Sequence, residues 1–201
     1  MISSLRKYIK KELFNPSILG IFLNPFYFAR KSLYKNIKDL APNCKGKILD
    51  VGCGNKPYKN LFIHSNQYVG LEINRECKFA DYFYDGSTFP FPDFCYDAVF
   101  SSQVLEHVLN PEEFINEIYR VLLPGGMLLL TTPFIWDEHA QPYDYRRYTS
   151  FGIRDLLEKH GFEVIEVRKS LNDFRIIAQS LNIYIYKKTL TKYTALNYLF
   201  T

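Results

Sequence analysis

KILDVGCG, residues 47–54, decides the fold. Its apolar Ile48, Leu49 and Val51 make a short run, and Gly52 and Gly54 follow at once, two positions apart. Such a run entering closely spaced glycines predicts a buried strand that ends in a tight turn. Glycine is needed there because the turn requires positive φ, or because a Cβ would collide with a ligand lying over the backbone. In a doubly wound sheet this first turn sits at the carboxyl ends of the strands, where the ligand crevice lies.

Further strands follow at regular intervals: YVGLEI (68–73), a run near 79–84, YDAVFS (96–101) and GMLLLTTPF (126–134). The last is nearly all apolar and suits a parallel strand covered on both faces. Before it, Asn110 is a helix N-cap, Pro111 a first-turn proline and Glu112 and Glu113 first-turn acids. Phe114, Ile115, Ile118, Val121 and Leu122 make that helix's apolar face, and Pro124-Gly125-Gly126 is its expected stop. Thr149 or Ser150 caps a later helix running to His160, with Gly161 as its stop and FEVIEV (162–167) as a sixth strand. Strands alternating with helices predict an α/β fold, a doubly wound, Rossmann-like and mainly parallel sheet.

Three segments are expected: a basic helical cap at 1–45, the sheet domain at 46–170 and a tail at 171–201. Residues 1–13 suit a basic helix, and 26–40 place Phe26, Ala29, Leu33, Ile37 and Leu40 at helical intervals until Pro42 and Gly46. In the tail, NIYIY (182–186) is either a closing strand or part of a helix for a partner or membrane surface, and the helix is preferred.

The 201 residues carry 25 Lys and Arg against 21 Asp and Glu, and the net charge of +4 hides a segregation. Residues 1–47 hold ten bases and two acids, residues 48–174 eleven and nineteen, and residues 175–201 four bases with no acid. A hydrophobic share of 47% excludes disorder over most of the length. Cys44, Cys53, Cys77 and Cys95 lack C-x-x-C spacing, so neither a zinc knuckle nor a disulfide framework is expected. Asn24 and Pro25 interrupt the apolar stretch at 18–23, and nothing reaches the roughly 18 apolar residues of a membrane span. A cytoplasmic protein is expected, touching a membrane at most peripherally through its basic termini.

The acids around the turn point to the ligand. Glu72 ends the second strand 22 residues after Asp50, placed to accept hydrogen bonds from ribose hydroxyls. A nicotinamide dinucleotide shares that acid, but its fingerprint wants a third glycine where Pro57 stands, and Asp50 would repel its pyrophosphate. A ligand headed by an ammonium and a sulfonium gains from a carboxylate instead, and S-adenosylmethionine is such a ligand.

From residue 46 to 167 the chain resembles the class I S-adenosylmethionine-dependent methyltransferases, particularly the ubiquinone-biosynthesis-like group labelled type 11. The segments that carry the resemblance are KILDVGCGNKPY, YVGLEI, YDGSTFPFPDFCYDAVFSSQVLEHV, NPEEFINEIYRVLLPGG, MLLLTTPF and DYRRYTSFGIRDLLEKHGFEV. The form CGNKPY is similar to a subgroup with Pro-Tyr after the turn, where many members carry a third glycine at the position of Lys56. The resemblance implies that Asp50, Gly52 and Gly54 line the methionine portion and that Glu72 holds the ribose. It further implies that Asp85 accepts from the adenine amino group beside Gly86, and that Ser101, Ser102 and Gln103 surround the sulfonium.

A sulfonium methyl is already electrophilic, so the protein's task is to align an acceptor at about 3 Å and exclude water. A hydroxyl acceptor also needs a base. His107 leads because it follows the fourth strand and imidazole titrates near neutrality; Glu106, His139, Asp144, Tyr143 and Tyr145 stand behind it. Arg146 and Arg147 are candidates to hold an anionic acceptor, with Asp144 or Asp155 as rival structural partners. Glu106, His107 and His139 are similar to a divalent-metal segment, Glu-x-x-Glu-His plus a second His. Gln103 replaces its first Glu, so no metal is expected. The acceptor is expected to be a small molecule, a sugar or a lipid-linked compound. A catalytically inactive binding module and an RNA methyltransferase are the alternatives. Against RNA, SSQV (101–104) stands where amino-methylating nucleic-acid enzymes carry Asn/Asp-Pro-Pro-Tyr/Phe.

Overall fold

Four strands, each with an apolar stretch, assemble side by side into one sheet. In the computed structural model, which describes residues 12–18 and 20–189, these are β1 (Gly46–Val51), β2 (Ser65–Glu72), β4 (Tyr96–Ser102) and β5 (Leu122–Thr131), joined by a two-residue β3 (Tyr82–Phe83). All pairings are parallel and the order is β3-β2-β1-β4-β5. The order reverses between β1 and β4, so a crevice opens at the carboxyl ends of those two strands. The Rossmann-like expectation holds.

The chain divides into two units, one of residues 40–167 and one combining residues 1–39 with 168–201. In the first, β1 and β4 lack in–out alternation because both faces are covered. Over one face lies the helix α3 (Pro111–Val121), burying Phe114, Ile115, Ile118 and Val121 in a core with Leu49, Val51, Val99 and Leu105. Each such side chain contributes about 1.5–3 kcal/mol relative to exposure. Aromatic residues fill in beside β1 and β4: the Phe62 ring lies 4.9 Å from Phe100, and Tyr58 stands edge-on to Phe100 at 5.9 Å. They come from the connection between β1 and β2, which holds only a single 3-10 turn, Lys59–Leu61. Thirteen residues containing Pro57 leave little room for a crossover helix.

Three expectations change. Asn110 occupies the N-cap position of α3, but its amide donates to Glu113 at 3.2 Å and caps no backbone N–H. Pro124-Gly125-Gly126 does not stop α3, which ends at Val121. Those residues form a bulge inside β5, between the pairings of Tyr96 with Leu122 and Ala98 with Met127. FEVIEV, after helix α4 (Ser150–Lys159), forms no ladder. Its Ile165 is 75% exposed, and β5 remains the sheet edge among the described residues. An alternating sequence supplies the pleat but not a pairing partner. Thr149 does cap α4, accepting from Gly152 N at 3.0 Å.

In the other unit, α1 (Gly20–Leu23) precedes α2 (Tyr27–Leu40), and NIYIY lies within the helix α5 (Arg175–Thr189) rather than in a strand. Gln179 of α5 is buried; it accepts from Ala29 N at 3.0 Å and donates to Pro25 O at 2.7 Å, tying α5 to the start of α2. The helix expected over residues 1–13 and the end of the tail lie mostly or wholly outside the described residues.

Candidate active site

Asp50 sits one residue before the end of β1, paired in register with Gly70. It is buried and accepts from the Tyr68 hydroxyl at 2.8 Å. Burial pushes its carboxyl up to about 7, although the Tyr68 hydrogen bond and nearby Lys56 pull the other way. Gly52 then turns the chain at φ +72, and a Cβ there would stand 2.3 Å from Val104 Cγ2. Gly54, at φ +48, is different: among the described residues a Cβ would meet nothing within 4 Å. The turn thus presents bare backbone to open space.

Glu72 reaches that backbone from the end of β2, one oxygen accepting from Gly54 N at 3.0 Å and the other from Ile73 N at 2.9 Å. Lys56, itself at φ +52, folds back over Gly70 and pairs with Asp81. Cys77 donates to Gly54 O at 3.1 Å, and its sulfur, Cys53 Sγ and a Glu72 oxygen lie within 4.8 Å of one another. Burial, then the neighbouring Asp50, pushes the Cys53 thiol up to about 12, so it is protonated at neutral pH. Asp85, exposed beyond β3, accepts from Ser87 N and Oγ, which lowers its carboxyl below the usual range. Gly86 follows at φ +96.

At the end of β4, buried Ser101 donates to Val51 O at 3.2 Å, while Ser102 and Thr131 share a hydroxyl contact at 2.8 Å. Gln103 takes φ +59, its N–H donating to Thr131 O at 2.9 Å. These contacts fasten the tips of β4 and β5 together beside the glycine turn.

The next turn, Leu105–His107, buries Glu106 completely, and among the described residues no other residue donates a hydrogen bond to its carboxylate. Burial raises this carboxyl, with its own backbone amide, His107 and Arg147 opposing. His107 Nδ1 lies 2.7 Å from Tyr143 O, and a carbonyl only accepts, so Nδ1 donates, which in the neutral tautomer leaves the lone pair on Nε2. That Nε2 is 3.8 Å from Glu106 Oε1. His139 stands edge-on to His107 at 4.7 Å, its Nδ1 3.2 Å from Asp144 Oδ2. Donor atoms of Glu106, His107 and His139 all lie within 4.8 Å, a set that suits either proton transfer or a divalent cation.

Arg147 grips Asp144 with two hydrogen bonds of 2.6 and 2.7 Å, and this contact, more than any other, holds the Asp144 carboxyl far below its usual range. Arg146 donates to Val108 O and Leu109 O. Both guanidinium groups are therefore engaged in shaping the segment 137–149, with Tyr143 and Tyr145 exposed on it. The expected residues thus fall into two sets: Asp50, Gly52, Gly54 and Glu72 around the turn, and Glu106, His107, His139 and Asp144 beyond β4. Sequence reading missed Tyr68, Val104 and Thr131. Register would have found Tyr68, which pairs with Ile48 and so shares a face with Asp50 two residues on.

A methyltransferase-domain family model matches residues 26–167. A Mycolicibacterium smegmatis protein named probable S-adenosylmethionine-dependent methyltransferase is 28% identical over 165 residues, covering 74% of this chain and 63% of its own. The mitochondrial ubiquinone biosynthesis O-methyltransferase of Rattus norvegicus is 58% identical over 38 residues, 19% of this chain and 11% of its own. The chain thus spans less than two thirds of the length of either relative. A crystal structure of an S-adenosylmethionine-dependent methyltransferase from Mesorhizobium loti superposes with TM-score 0.60 at 16% identity, covering 78% of this chain and 93% of that one. At that identity the likeness is one of fold.

Proposed function

Because the chain belongs to this family of S-adenosylmethionine-dependent methyltransferase domains, we propose that it moves the sulfonium methyl to a hydroxyl of a small-molecule, sugar or lipid-linked acceptor, with His107 as base. The geometry fits the cofactor. Gly54 leaves open space over a backbone that a side chain would cover. Asp50 places a carboxyl under the turn, and Glu72 stands where ribose hydroxyls can replace its amide contacts. The bound cofactor supplies an electrophilic methyl. Asp85 and Gly86 accept the adenine edge in this reading, while Ser101, Ser102 and Gln103 wall the methyl end. The segment CGNKPY supports a finer reading, a subgroup with Pro-Tyr after the turn.

One observation carries the base assignment: the Tyr143 carbonyl fixes the proton of neutral His107 on Nδ1 and leaves Nε2 basic. Nε2 would take the proton of the acceptor hydroxyl, whose oxygen would accept the methyl that the cofactor supplies, the carbon–sulfur electrons staying with sulfur. Glu106, 3.8 Å from Nε2, favours the imidazolium that forms. His139 and Asp144 hold the ring's surroundings, and Tyr143, Arg146 and Arg147 shape the acceptor side through segment 137–149.

A second reading rests on the fully buried Glu106 carboxylate beside two histidines: the same three residues hold a divalent cation. The test is transfer of labelled methyl from S-adenosylmethionine to the small-molecule fraction of cell extract, with and without a chelator. A labelled product resistant to chelation, lowered about 10²–10⁴-fold in His107→Ala with cofactor affinity unchanged, supports the base. Loss on chelation with recovery on adding magnesium or zinc supports the cation. Label in RNA alone overturns the acceptor class, and no transfer under any condition favours a binding module.

A further inference from the structure

We propose that the exposed face of α5 lies in the interfacial plane of an anionic phospholipid bilayer. Ile177, Leu181 and Tyr184 follow one another at helical spacings of four and three, and are 74%, 56% and 62% exposed. Phe174, just before the helix, is 76% exposed, and Lys188 ends the same stripe with its ammonium 5.9 Å from the Tyr184 ring centroid. The opposite side of α5 is committed: buried Gln179 bonds Ala29 and Pro25, and Tyr186 stands edge-on to Phe26 at 6.0 Å. The apolar stripe is therefore turned away from α2.

Charge selects the occupant. The unit containing α5, residues 1–39 with 168–201, holds fourteen Lys and Arg against three Asp and Glu, a net charge of +11; residues 40–167 carry −7. An apolar stripe on so cationic a unit matches a surface that is negative outside and apolar beneath, as an anionic bilayer is. RNA would answer the charge but not the stripe. Among the described residues no helix is long and apolar enough to cross a membrane, and α5, at 15 residues with terminal lysines, suits the interface plane.

The test is co-sedimentation of the full chain at low salt with vesicles of phosphatidylcholine and phosphatidylglycerol, against phosphatidylcholine alone. Binding to the anionic vesicles only, weakening as salt rises, is expected. Ile177→Gln with Leu181→Gln lowers it at least about tenfold while far-ultraviolet dichroism and S-adenosylhomocysteine binding stay unchanged; Ile177→Met with Leu181→Met retains it. Equal sedimentation of the Gln variant overturns the proposal, as does binding without preference for phosphatidylglycerol. So does a dimer that the Gln variant dissolves, or retention on RNA, when vesicle binding is absent.

Discussion

At Gly54 the φ of +48 strains an alanine, yet its Cβ would touch nothing within 4 Å among the described residues. Gly54→Ala therefore costs the fold only about 1–2 kcal/mol, the usual strain of a left-handed residue. Any larger loss of cofactor affinity, read by calorimetry beside a thermal melt, belongs to a ligand lying in that space; at least tenfold is expected. Gly52→Ala, driven into Val104, lowers both together. Asp50 adds a pH signature. Its carboxyl titrates at about 7 because burial disfavours charge, and a cationic ligand favours the ionised form. Affinity for S-adenosylmethionine then falls by up to about tenfold per unit as pH drops below 7, whereas S-adenosylhomocysteine, with neutral sulfur, shows a shallower slope. The stability sign is opposite. A raised carboxyl stabilises the fold at pH below its unfolded value near 4, and that contribution is lost as pH climbs toward 7. Asp50→Asn accordingly raises the melting temperature at pH 8 while weakening the cofactor. The two glycines and Asp50 were legible because backbone freedom and charge show in residue type. Tyr68 was not, since its role depends on which residue of β1 lies beside it.

The elements with strong helical periodicity kept their predicted places. α3 was readable from Pro111 and four inward apolar residues, and Ile118→Ala in its buried face costs about 2–5 kcal/mol by chemical denaturation. The parallel strands were readable for the same reason: continuous apolar runs have few other uses. Elements whose identity depends on a distant partner were not. FEVIEV alternates like a strand but joins no strand ladder among the described residues, and Pro124-Gly125-Gly126 reads as a helix stop while serving as a bulge in β5. NIYIY has strand-like composition, yet Gln179 and Tyr186 give the same stretch a helical use by packing one side of α5.

Over the whole molecule, the charge segregation visible in the sequence coincides with the two units: +11 on the one formed from both ends and −7 on residues 40–167, which hold Asp50, Glu72 and Asp85. The ends are remote in sequence, so only the fold could show that they form a single unit. The other unit carries the first glycine turn, which we propose as the sulfonium cofactor site. Titrating the full chain with S-adenosylhomocysteine by calorimetry tests it most directly. Saturable micromolar binding with one molecule per chain, weakened at least about tenfold in Gly54→Ala, is predicted; absence of heat at high micromolar ligand from a chain that melts cooperatively would contradict it.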